Sequence, residues 1–214
     1  MRFSTFLVLC FFCINTNANE TDAARKRWAQ SPHGPFLERI LPPGFESSML
    51  PERGSRGARL TLRYCVQCHN LANPAMHEPK RWRPVVERMV LRMEGRGNLG
   101  RLMSERMAGV EAPAVGETKA IIAYLRRHAQ RPLDPRRYPE VNSPSGESFR
   151  LACNQCHTLP DPRRYTAREW PAVVERMERN MEWMNRVVST KPTPGEPQLR
   201  IEDINAFLTR YARK

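Results

Sequence analysis

The chain has 214 residues, with 35 lysines and arginines against 22 acidic residues and a formal charge of +13 at neutral pH. That length accommodates two small domains, each of a size at which side chains alone build only a marginal core. The charge favours partners with acidic surfaces through long-range attraction, and with no recognised binding motif present nucleic acid is set aside as a partner.

Residues 1–18 read as an address. Arg2 gives a positive start, Phe6 to Phe12 is a short apolar run, and Thr16-Asn17-Ala18 suits cleavage, which together predict a signal peptide and export to the periplasm. The run is too short for a permanent span, so no transmembrane anchor is expected. Cys10 and Cys13 follow Leu9 and Phe12, which are too large for a lipoprotein signal. Once the leader is removed, the four remaining cysteines all sit in two short motifs, so no disulfide is expected.

Residues 19–53 contain Pro32, Pro35, Pro42 and Pro43 without sustained period, and read as an extended N-terminal arm. The first domain is placed at residues 54–129. It begins with a short helix leading into Cys65-Val66-Gln67-Cys68-His69. A second helix follows, with Trp82, Val85, Val86, Met89 and Met93 on one face and Pro84 expected in its first turn. After a Gly-rich loop and a segment with Met103 and Met107, a terminal helix from Glu117 to His128 presents Ile121, Tyr124 and Leu125 on one side.

Residues 130–144, with four prolines, read as a semi-rigid linker. The plan then repeats over residues 145–214. Cys153-Asn154-Gln155-Cys156-His157 matches the first motif at a shift of 88. The same shift maps Trp82, Val85, Val86, Glu87, Arg88, Met89 and Met93 onto Trp170, Val173, Val174, Glu175, Arg176, Met177 and Met181. The terminal helix recurs at a shift of 83, so the intervening loop is five residues shorter. No stretch reads as a convincing strand. An all-α protein of two tandem helical domains is expected.

In an exported chain, C-x-x-C-H is the attachment sequence for c-type haem. Two thiols on adjacent turns bond the vinyl groups at one porphyrin edge, and the histidine becomes the proximal ligand of the iron. The motif thus assigns Cys65, Cys68, Cys153 and Cys156 to two covalent haems and His69 and His157 to their irons. A zinc site and a thioredoxin-like pair are the competing readings. The first is disfavoured by the 88-residue separation, and the second by the histidine in both motifs.

These motifs, with the Ala-Tyr-Leu and Ala-Phe-Leu segments of the terminal helices, resemble the class I cytochrome c family in its tandem dihaem form, over residues 55–129 and 145–213. The resemblance implies small helical domains each wrapping one haem, with a methionine as distal ligand. Typical members place that methionine just before the terminal helix. Met103 or Met107 answers to this in the first half, but the second half has no methionine beyond Met184. If both halves bind alike, a matched pair is required. Met89 with Met177 is preferred, Met93 with Met181 is the alternative, and His77 is a bis-histidine candidate whose repeat partner is Tyr165. The function implied is single-electron transfer between a periplasmic or membrane-bound redox partner and an acceptor. A haem enzyme with one open site, peroxidase-like or oxidising small sulfur compounds, and a dedicated subunit of a periplasmic oxidoreductase are the other readings.

Overall fold

The computed structural model describes residues 45–96, 109–188 and 200–214, together with Gln30, Gly100, Ser104 and Met107. The expected signal peptide, most of the expected arm, and Met103 lie outside these residues. The described chain is mostly helical. Its α-helices are α1 (Arg56–Tyr64), α2 (Pro79–Met93), α3 (Val115–Arg127), α4 (Pro144–Cys153), α5 (Trp170–Val188) and α6 (Ile201–Arg210). The β-structure among the described residues consists of isolated bridges, Pro132 with Pro160 and Thr166 with Arg213. No helix among the described residues is long and apolar enough to cross a membrane.

Local chemistry sets the helix ends. Ser55 caps α1 by accepting from Ala58 N–H at 3.2 Å. Glu117 reaches back from the first turn of α3 to accept from Ala114 N–H at 2.9 Å, where a carboxylate also meets the positive end of the helix dipole. α2 starts at Pro79, earlier than its apolar face suggests, so Pro84 lies inside the helix and not in its first turn. The carbonyl deprived of its donor is that of Lys80, on the exposed side, where water can serve it.

Each half has one core. In the first, α3 packs against α1 and α2, and Ala58, Tyr64, Trp82, Val86, Ile121, Tyr124 and Leu125 are buried together. In the second, α6 packs against α4 and α5 around Phe149, Trp170, Val174, Ile204, Phe207 and Leu208. The helix crossings differ in detail. At the α1–α3 crossing a Cβ on Gly57 would lie 2.3 Å from Tyr124 Cβ, so glycine alone permits that approach. The α4–α6 crossing is filled by Phe149 stacked on Phe207, with centroids 4.8 Å apart.

The repeat is written into the hydrogen bonds as well as the sequence. Trp82 Nε1 donates to Pro74 O and Trp170 Nε1 to Pro162 O, both at 2.8 Å. His77 packs edge-on to Trp82, as Tyr165 does to Trp170. Phe45 N–H donates to Leu71 O and Leu133 N–H to Leu159 O, again 88 residues apart. Short 3-10 turns at Ser47–Met49 and Pro135–Arg137 keep the same register.

The repeating unit therefore reaches back to residue 45 in the first half and to residue 133 in the second. The segment read as a linker is packed: Leu133, Tyr138 and Val141 are buried in the second core, and Tyr138 Oη donates to Asp161 Oδ1 at 2.6 Å. Its prolines shape tight turns against the core and do not space the halves apart.

Candidate functional site

The two five-residue motifs occupy equivalent places. Cys65 caps the C-terminal end of α1, its N–H donating to Thr61 O, and Cys153 is the last residue of α4. Both helices are pinned by the terminal helix of their half, so both motifs begin at a fixed point. Burial, reinforced by the neighbouring thiol, pushes Cys65 and Cys153 up to about 12, and burial also raises Cys156. Protonated thiols are poor thiolate ligands and poor redox nucleophiles at neutral pH. Among the described residues no group of three His, Cys, Asp or Glu side chains is arranged to hold a metal ion, so the two cysteine pairs do not come together as a zinc site.

The histidines share one geometry. His69 Nδ1 lies 2.7 Å from Asn70 O, and His157 Nδ1 lies 2.9 Å from Thr158 O. A carbonyl only accepts, so Nδ1 carries a proton in each ring, and whenever the ring is neutral its lone pair is on Nε2. That is the tautomer of a histidine prepared to ligate through Nε2, with its other nitrogen held by a backbone acceptor.

The sulfurs placed against the motifs come from Met107 and Met184. Met107 Sδ is 4.0 Å from Cys68 Sγ, and Met184 Sδ is 3.7 Å from Cys156 Sγ. Met89, Met93, Met177 and Met181 are half-buried on α2 and α5. Met93 packs against the first core, and Met177 Sδ accepts from Asn180 Nδ2 at 3.9 Å. His77 packs on Trp82, and burial followed by the charges of Arg81, His157 and Arg88 lowers its pKa.

Met107 and Met184 are not repeat partners. The counterpart of α2 would end at Met181, yet α5 runs on to Val188, and this extension carries Met184 to the motif. Met177, Met181 and Met184 fall at i, i+4 and i+7, a continuation of one helix face that was available in the sequence. Beside Met184, the indole Nε1 of Trp183 is buried without a hydrogen-bond partner among the described residues.

In the first half the segment following Met107 is fastened to the motif itself. Gln67 Nε2 donates to Glu111 O and Glu111 N–H donates to Gln67 Oε1, each at 2.9 Å. Arg63 adds a two-pronged contact to the Glu111 carboxylate at 2.8 and 2.9 Å. Neither residue carries a signal in the sequence, because the pairing depends on how a loop folds back over the helix end.

A scan against models of protein families finds no match, and searches of curated proteins and of solved structures likewise find none.

Proposed function

We propose that the chain is a periplasmic dihaem c-type cytochrome that passes single electrons between redox partners, in two tandem cytochrome c-like domains. The observation that carries this reading is the duplicated motif geometry. In each half the motif begins at the end of a pinned helix, the histidine presents Nε2, and a thioether lies within 4.0 Å of the second cysteine.

The donor set suits the group. Cys65 and Cys68, and Cys153 and Cys156, would hold the two haems by thioether bonds. His69 and His157 would be the proximal ligands and Met107 and Met184 the distal ones, in place of the matched pair Met89 and Met177. When bound, a haem iron with histidine and methionine ligands supplies reversible one-electron chemistry at raised potential. The chain's own part is to fix the imidazole tautomer, to hold the sulfur with the Gln67–Glu111 pairing, and to keep the ligand set unchanged between oxidation states. A basic surface steers acidic redox partners.

The test is the mass and spectrum of protein purified from a host able to attach haem covalently. Two haems per chain are expected, with no rapid carbon monoxide binding to the ferrous form. Absence of haem, or one equivalent, overturns the reading, and stoichiometric carbon monoxide binding at either site replaces the carrier by a haem enzyme. Met107→Ala and Met184→Ala are each expected to remove the long-wavelength sulfur–iron band of one haem, whereas Met89→Ala and Met177→Ala leave both bands in place.

A further inference from the structure

The two halves meet at a buried carboxamide. Gln130, two residues beyond the capping residue of α3, is 4 % exposed, and with Thr61 it makes up the buried polar side chains among the described residues. Thr61 is satisfied inside its own helix, its Oγ1 donating to Gly57 O at 2.8 Å. Gln130 instead reaches out of its half. Its Nε2 donates to Thr158 O at 3.3 Å and its Oε1 accepts from an Arg164 guanidinium nitrogen at 3.3 Å. The carboxamide can point only one way, since a carbonyl cannot donate and a guanidinium cannot accept. Its root is fixed too, by Gln130 N–H donating to His77 O at 2.9 Å.

The Thr158 carbonyl that receives Gln130 is the same oxygen that receives His157 Nδ1–H. A side chain of the first half and the imidazole of the second motif thus share one acceptor. An oxygen already accepting one proton is a weaker acceptor for the next. The strength of the Nδ1–H bond sets how much imidazolate character, and so how much electron donation, the ring brings to a metal.

We propose that Gln130 is a positioning residue that weakens the Nδ1–H bond of His157 through the Thr158 carbonyl and thereby raises the reduction potential of the second haem. This rests on the dihaem reading above. It makes the potential of the second site depend on a residue of the first half, and therefore on the two halves being docked.

The experiment uses the full-length haem-loaded protein, with midpoints resolved by spectroelectrochemistry and assigned through Met107→Ala, which perturbs the first haem alone. Gln130→Leu removes the donor without adding charge. Gln130→Glu also removes it but keeps an acceptor for Arg164, so it preserves the docking if the leucine variant does not fold. In both variants the midpoint of the second haem is expected to fall while that of the first stays in place, and the His157 Nδ1 proton resonance is expected to move downfield. Two bound haems with an unmoved second midpoint overturn the proposal, as does an equal shift at both haems, which would indicate general loosening. Wild-type protein with fewer than two haems fails at the prior step, the dihaem reading, and takes this proposal with it.

Discussion

At Gly57 a single hydrogen stands where any other residue would place a carbon against the Tyr124 ring root. Gly57→Ala is expected to push α1 off α3 at a cost of about 1–3 kcal/mol, read as a lower midpoint in urea denaturation. Tyr64, Tyr124 and Tyr138 give a second test at this scale. Burial pushes each phenol up to about 12, helped by Glu117 at Tyr64, Glu52 at Tyr124 and Asp161 at Tyr138. A folded pKa above the unfolded value of 10 favours the protonated form, so this stabilisation is complete below pH 10 and is lost as pH rises towards 12. Alkaline unfolding is expected inside that window, with these tyrosines ionising only as the chain opens, followed by absorbance of the phenolate. The cysteines and histidines of the motifs stand out in the sequence because their chemistry is local. Met107 is one of several methionines the sequence offers for the first half and Met184 is passed over, because a sulfur's proximity to a motif across a fold is decided by loop and helix length.

Elements explain where the sequence succeeds and where it stops. The helical character follows from apolar period and from the repeat, while Ser55 and Glu117 fix the starts of α1 and α3. The Pro-rich segment at 130–144 misleads because composition there resembles a spacer, while its buried residues Leu133, Tyr138 and Val141 are too widely separated by turns to show a period. Met107 lies in the segment that differs by five residues between the halves, so the sulfur beside the first motif has no repeat partner where the duplication itself is unequal. The Gln67–Glu111 pairing holds that segment as two rungs of a short ladder. Under the proposed dihaem reading, Gln67→Ala is expected to leave haem content unchanged but to let added imidazole displace the sulfur at the first haem more readily, seen as loss of its long-wavelength band at lower imidazole concentration.

At the scale of the whole molecule, two arginines of the second half help to brace it against the first. Arg164 donates to the carbonyls of His128 at 3.0 Å and Ala129 at 3.1 Å, capping the negative end of α3 from the other half. Arg176 lies over the Phe45 ring with its guanidinium carbon 5.9 Å from the centroid, and beside Met49. Arg164→Ala leaves two carbonyls short of a donor and is expected to cost about 1–3 kcal/mol. The loss should be greater than for the same change at exposed Arg163, measured by thermal unfolding, with protease cleavage appearing near residue 131. Polypeptide leaves the first unit at Gln130, anchored to His77 O, and is bonded into the second at Leu133, so only Arg131 and Pro132 lie between two fixed points. So short a hinge cannot swivel. A molecule docking on one end therefore always finds the other end at the same angle and reach, and the pair works as a rigid handle in place of two beads on a string.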